Sequence, residues 1–204
     1  MTLALGTRLI ETDRLVLRRV TPEDFDFFAR IHGDPEVARY INHGRPRTLE
    51  ESRGWLDATL SAYQTLDLGQ LAVVRQSDGV LLGRCGLSDL AVETVADGGV
   101  RRSWWSRAQI PAGTGISFER ELGYTFDRAQ WGHGYAAEAV GCVLDYARDL
   151  LRLTRMVSLI HPDNARSFKV ASRFGVVLEG KIESVGRVLN LFVWPMAVPK
   201  RVSV

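Results

Sequence analysis

The chain switches repeatedly between runs of two-residue period and runs of helical period. "RLVLRRV" (14–20) alternates apolar and charged residues as a half-buried strand does. "TPED" follows, with Thr21 as N-cap, Pro22 at the first helical position and Asp24 three residues on, which predicts a helix through Phe25, Phe28 and Ala29. In "TLEESRGWL", Thr48 and Glu51 have capping-box spacing, and Leu49, Leu56 and Leu60 are predicted to share one helical face. "QLAVVRQSDGVLLGRCGL" holds two apolar runs around Asp78-Gly79 and reads as a hairpin over about 70–87. Residues 88–118 show no clear period, contain "RRSWWSR" and end in "PAGTG", so they read as an irregular insertion; loops this long are usually functional or disordered.

Regular spacing returns in "RELGYTF" (120–126), a strand. Ala136, Val140, Val143, Leu144, Ala147 and Leu151 then keep helical spacing for about four turns. "RMVSLI" (155–160) reads as a strand, "NARSFKVASRF" as a short helix closed by Gly175, and "VLNLFVWPMAV" (188–198) as a last strand. No internal repeat or linker divides the 204 residues, a length that suits one domain.

Composition narrows the classes. With 46% hydrophobic and 25% charged residues and no long apolar run, the chain reads as a globular protein and not a membrane protein. The opening residues lack a basic start and an apolar core, so no signal peptide is expected and the cytoplasm is the expected compartment. A formal charge of +2 with dispersed arginines argues against nucleic acid as partner, while leaving small anionic ligands open. Cys85 and Cys142 have no metal-like spacing and are expected to be reduced core residues. His32, His43, His133 and His161 show no ligand spacing either, so no metal is expected. "GVVLEGKI" has P-loop spacing up to the lysine, but Ile182 stands where Ser or Thr is required, and no G-x-S-x-G elbow is present.

"RAQWGHGYAAEA" (128–139) places Gly132 and Gly134 between a strand and the longest helical run. Two readings are open. The first turn of a helix leaves N–H groups unpartnered and its dipole favours an anion, so bare backbone there could wrap a pyrophosphate. Two glycines could equally make no more than a tight turn.

The flanking sequence adds a resemblance. "ELGYTFDRAQWGHGYAAEAV" followed by "HPDNARSFKVASRFGVVLEG" resembles the acyl-CoA core of the GNAT superfamily of N-acyltransferases, nearest the RimJ/RimL branch of ribosomal-protein N-terminal acetyltransferases. "IETDRLVLRRVTPEDFDFF" and "GDPEVARYI" match that branch's beginning, so the resemblance spans nearly everything except 88–118. It implies an α/β (α+β) fold in one domain over 1–204, with a mixed, mostly antiparallel sheet, about four flanking helices and two splayed strands that hold CoA.

Residue by residue, the resemblance implies a pyrophosphate on the amides of Gly132, His133, Gly134, Tyr135 and Ala136. The family's signature opens with Gln or Arg three positions before the first glycine, where this chain has Ala129 between Arg128 and Gln130. Strand backbone near Tyr124 and Phe126 would pair with pantetheine and face the oxyanion. Asn164 would bond the pantetheine arm and Ser167 protonate the departing thiolate, although both also suit a plain helix N-terminus. Alternation puts Glu121, at the head of the strand, on the face opposite Leu122 and Tyr124, as a candidate general base or else a solvated strand-end carboxylate. The glutamate given that work in ribosomal-protein members falls on Gly186, so Glu183 is a further candidate.

The implied activity is transfer of an acetyl or other acyl group from acetyl-CoA, the co-substrate, to a primary amine of a peptide N-terminus or small molecule. The alternative is a CoA-binding module with weak or no catalysis. For the 88–118 segment two roles are open: an acceptor wall of Trp104 and Trp105, with Arg101, Arg102 and Arg107 favouring anionic acceptors, or a homodimer contact.

Overall fold

The computed structural model describes residues 8–41, 43–64, 69–94, 99–104, 115–184 and 186–196. Along the chain run β1 (Arg8–Glu11), β2 (Leu15–Arg19), α1 (Phe25–Gly33), α2 (Pro35–Ala38), α3 (Leu49–Ala62), β3 (Gln70–Arg75) and β4 (Leu81–Thr94). These are followed by β5 (Val100–Ser103), β6 (Ile116–Phe126), α4 (Tyr135–Asp149), β7 (Val157–Ile160), α5 (Ala165–Ser172), β8 (Val177–Ser184) and β9 (Arg187–Val193). Among the described residues the strands form one sheet in the order β1-β2-β3-β4-β6-β7-β9-β8, with β5 on the outer part of β4. All pairings are antiparallel except β6 with β7. The mixed, mostly antiparallel fold implied by the sequence is what the structure has.

Alternation along β3 builds both layers, because successive side chains point to opposite faces. Leu71 and Val73 pack with Leu15, Leu17 and Leu122 against Ala139, Val140, Val143 and Ala147 of α4. Ala72 faces the other way, into a cluster with Phe28 and Ile31 of α1, Leu56 of α3, Val20 and Tyr63. The caps that start the early helices form as their residue types dictate. Thr21 N–H donates to Asp24 Oδ2 at 2.8 Å, and Thr48 and Glu51 satisfy one another's backbone N–H at 3.1 and 2.8 Å.

Three expectations need correction. Leu49 does not share the buried face of Leu56: it is 71% exposed, at the first turn of α3 beside the solvent-facing Arg45–Glu51 ion pair. The 88–118 segment is not irregular throughout. Instead β4 runs on to Thr94 and β6 begins at Ile116, so the two pair without a break from Gly83↔Phe126 to Glu93↔Ile116, and β5 pairs β4 from the far end. A long ladder satisfies backbone groups whatever the side-chain period, which is why the pattern gave no signal. Lastly, Val177–Ser184 forms β8, an edge strand exposed along most of its length, while β9 stops at Val193 and the Trp194 N–H turns back to Met156 O at 2.9 Å.

The parallel contact between β6 and β7 amounts to a single residue pair, Glu121↔Val157. Past it the strands diverge, since β6 stays on β4 to Phe126 while β7 follows β9. Ser158 sits at the fork. Its hydroxyl donates to Leu122 O at 2.5 Å and accepts the Trp194 indole N–H at 2.9 Å, with Ser158 and Trp194 both buried. Removing that hydroxyl would strand one buried acceptor and one buried donor. Ser158→Ala is therefore expected to cost about 2 to 3 kcal/mol in urea unfolding; a loss under about 0.5 kcal/mol would show that the fork is held by other contacts.

Candidate active site

The fork opens a cavity of about 470 Å³ that α3 closes from one side, with Trp55, Arg84, Glu121, Tyr124, Asn164 and Ser167 among its walls. Which backbone groups face the gap follows from pairing parity. Asp127 N–H donates to Leu82 O at 2.9 Å in register with the ladder, so odd-numbered residues of β6 bond β4 and even-numbered ones turn their backbone to the fork. The Leu122 carbonyl accordingly meets Ser158. The Phe126 carbonyl, expected to be open to a pantetheine, instead accepts the Trp131 indole N–H at 3.0 Å. Tyr124 is the even-numbered position between them, and it lines the cavity.

Ser167 comes to the same place from α5. Asn164 is the N-cap of that helix, its Oδ1 accepting Ser167 N–H at 3.1 Å, so the capping reading describes a real contact, and Asn164 also lines the cavity. Ser167 Oγ donates to the Tyr124 hydroxyl at 2.9 Å, and that hydroxyl donates to Ser167 O at 2.9 Å. Burial holds the Tyr124 phenol above its ordinary range, against the opposing pull of the Ser167 bond, so it keeps its proton. The part played by this hydroxyl was absent from the sequence reading, because nothing local in "GYTF" says that it meets a serine 43 positions later.

The glycine turn lies outside the cavity wall. Gly132, His133 and Gly134 are exposed, and Gly132 and Gly134 both adopt left-handed backbone, φ +84° and +83°. A Cβ built on Gly132 meets nothing within 4 Å, so the space above the turn is open to a ligand. Tyr135 and Ala136 begin α4, fifteen residues long, whose N-terminal dipole points into that space. Glu138 in the first turn would repel an anion, but Arg14 holds its carboxylate at 2.7 and 2.6 Å and also donates to His133 O at 3.1 Å. The residues present therefore fit a pyrophosphate.

Glu121 lies in mid-strand, since β6 begins five residues before it at Ile116, and it is 8% exposed and not solvated. It faces away from the core-packed Leu122, as alternation requires, and lines the cavity. Burial pushes its carboxyl up to about 7, opposed by the hydrogen bond that the Trp104 indole donates to it. Glu183 is exposed and does not line the cavity, and Gly186 sits in the β8–β9 turn at φ +71°, where a glutamate would be strained. Glu121 is thus the cavity's candidate base.

Within the 88–118 segment, Trp104 reaches the cavity, while Trp105 and Arg107 lie outside the described residues. Arg101 and Arg102 do not supply the expected anion attraction, for Arg101 pairs with Glu93 at 2.5 Å and Arg102 with Glu119 at 2.7 Å. Cationic groups enter the cavity from elsewhere. Arg84 donates to Gln70 Oε1 at 2.6 Å with its guanidinium 5.4 Å from the Trp55 ring centre, and Arg47 lines the same space. Arg84 was detectable as the one charge within the apolar run "VLLGRCGL"; Arg47 and Trp55 carried no such mark.

Residues 14–177 match the family model described as "Acetyltransferase (GNAT) domain". An uncharacterized N-acetyltransferase, p20, of Bacillus licheniformis is 24% identical over 189 residues, 91% of this chain and 93% of that one. Among solved structures, an acetyltransferase of Agrobacterium tumefaciens superposes with a TM-score of 0.70 at 24% identity, covering 96% of this chain and 98% of the other. A ribosomal-protein-S5-alanine acetyltransferase of Vibrio fischeri does so with a TM-score of 0.63 at 18% identity, covering 90% and 94%. At these identities the two structures speak for the fold.

The raised Glu121 carboxyl makes stability depend on pH. The fold disfavours the charged form, so the stability tied to this group is complete below about 4.5 and declines as pH rises to about 7. Glu121→Gln, which cannot ionise, is expected to match the parent at pH 4.5 and to exceed it by about 2 kcal/mol at pH 8 in urea melts. An equal difference at both pH values would contradict the buried, titrating carboxyl.

Proposed function

The chain belongs to the GNAT acetyltransferase family, and from that premise we propose that it transfers an acetyl group from acetyl-CoA to a primary amine by direct attack on the thioester. One observation carries the reading: the diverging strands place Glu121 and the Ser167–Tyr124 hydroxyl pair on one cavity, so a proton acceptor and a proton donor face the same small space. The volume of about 470 Å³ suits the reacting end of a thioester and a compact amine.

In this reading the amides of Gly132 to Ala136 hold the pyrophosphate of CoA and the fork admits its pantetheine arm, with Asn164 beside it. The acceptor amine gives a proton to Glu121, whose carboxyl near 7 is matched to that work at neutral pH. Backbone N–H at Tyr124, turned toward the fork, faces the negative charge that develops on the carbonyl oxygen. Ser167 Oγ, which donates to the Tyr124 hydroxyl 2.9 Å away, turns its proton to the departing sulfur and takes one back from solvent. Exclusion of water by Trp55, Trp104 and Leu189 favours attack by the amine over hydrolysis.

Calorimetry and thiol release test these parts separately. Gly134→Val is expected to fold, with some loss of stability from its φ of +83°, and to lose acetyl-CoA binding. Ser167→Ala should keep acetyl-CoA affinity within about threefold while kcat falls about a hundredfold. The kcat/KM of the parent should rise through pH 7, and Trp104→Phe, which removes a bond favouring the charged carboxylate, should move that rise to higher pH. Acetyl-CoA binding without turnover on any amine would leave a CoA-binding module; normal affinity in folded Gly134→Val would refute the donor site.

A further inference from the structure

Among the described residues many arginines meet a carboxylate directly, for example Arg18 with Asp24, Arg75 with Asp78 and Arg155 with Glu179, at 2.6 to 2.7 Å. Arg47 and Arg84, which line the cavity, are different. Arg84 bonds a neutral amide oxygen on Gln70, and Arg47 reaches the Glu51 carbonyl at 3.5 Å through Nη1. The Nε atom of each is buried without a hydrogen-bond partner. Two guanidiniums enclosed in this way are costly unless an anion answers them.

The acidic groups nearby are otherwise engaged. Glu51, whose charge Arg47 feels, is gripped by Arg45 at 2.9 and 2.5 Å. Asp89 on the cavity wall pairs with Arg120, and Glu121, whose charge Arg84 feels, is hydrogen-bonded by Trp104 and held toward its neutral form by burial. His32 gauges the local field: burial first, then the charges of Arg84 and Arg47, push it down to about 2, so it adds no charge of its own.

We propose that the acceptor is a small amine that also bears an acid group, a carboxylate or phosphate, received by the guanidiniums of Arg47 and Arg84. The inference rests on the acetyl-transfer reading above and deepens it. Guanidinium forks match such oxyanions geometrically, and Gln70 aims the one on Arg84. Gln70 is itself fixed by bonds from its amide nitrogen to Gly86 O at 3.1 Å and Ser88 Oγ at 2.9 Å. Arg84 lies over Gly123, where an added Cβ would stand 3.8 Å from Nη1, and Glu121 is two residues along the same strand. Two strand residues span about 7 Å. An acid held over Gly123 thus leaves an amine a few bonds away within reach of Glu121, the spacing of an amino acid or a phosphoamine. Arg47 and Arg84 are specificity-determining residues in this scheme, remote from the Ser167 end of the reaction.

Matched acceptor sets test it. Thiol release is measured with the proteinogenic amino acids, their carboxamides and their decarboxylated amines, with phosphoethanolamine beside ethanolamine, and with short peptides. The best acceptor is expected among the acid-bearing compounds, with kcat/KM about thirtyfold or more above its neutral analogues; amino acids against phosphoethanolamine tell which acid is read. Arg47→Gln and Arg84→Gln should each cut that kcat/KM about ten- to a hundredfold, chiefly through KM, while rates on the decarboxylated amine stay within about threefold. Arg84→Lys should restore part of the loss. Unchanged acetyl-CoA affinity certifies each variant's fold, and Arg47→Gln, outside the sheet, stands in should Arg84→Gln fail to fold. A preference for neutral or cationic amines or for peptides, a preference that survives both substitutions, or acetyl-CoA binding with no turnover of any acid-bearing amine would overturn the proposal. A parent protein that does not bind acetyl-CoA would overturn the underlying transfer reading instead, and this inference with it.

Discussion

The hydroxyl of Ser158, donating to Leu122 O and accepting from the Trp194 indole, marks where the sheet stops being a sheet. Strands β6 and β7 share one parallel pair there and then part, each held by its other neighbour. Without that forced separation the even-numbered backbone groups of β6 would be spent on β7 and no cavity would form. Strand separation in a folded core is normally expensive, because it leaves buried N–H and C=O groups unpaired. This protein offsets part of the cost with side chains, Ser158 on Leu122 and Trp131 on Phe126, and leaves the position between them facing the gap.

The same economy of partners governs charge. Outside the cavity many guanidiniums meet carboxylates, as Arg14 with Glu138 and Arg102 with Glu119 show. On its wall Asp89 still pairs with Arg120, but three charged groups have no such match among the described residues. Glu121 is raised by burial and steadied by one indole N–H, while Arg47 and Arg84 lean on neutral oxygens. Groups kept short of partners in this way are poised to exchange protons and bind ions, which well-paired groups are not.

Division of labour follows from how each element is anchored. The glycine turn and the start of α4 are tied to β1 and β2 by Arg14 and Thr12, both of which bond Glu138. Ser167 arrives on a separate short helix whose N-cap, Asn164, is itself on the cavity wall. Glu121 and Arg84 ride on adjacent central strands, where the β4–β6 ladder fixes them in register. In the proposed reaction, binding of the donor's anionic part thus falls to a solvent-facing turn, and proton transfer to the residues of the cavity wall.

Much of this was legible in the sequence because it depends on local rules. Capping residues at Thr21 and Thr48 start helices whatever surrounds them, and Ala139, Val140 and Val143 fix the buried side of α4. Gly132 and Gly134 announce left-handed backbone before a helix, and strand alternation alone puts Glu121 opposite Leu122. What stayed hidden depends on chain segments far apart in sequence. The regular pairing of residues 88–93 with 116–121, the Ser167–Tyr124 contact and the gathering of Arg47, Arg84 and Glu121 on one cavity have no local signature. Even Glu121's burial, which turns an ordinary carboxylate into one titrating near 7, was set by Trp104 and the strands around it. Periodicity records which way a side chain points from its own backbone; whether water or another segment waits there is decided only when the sheet is assembled.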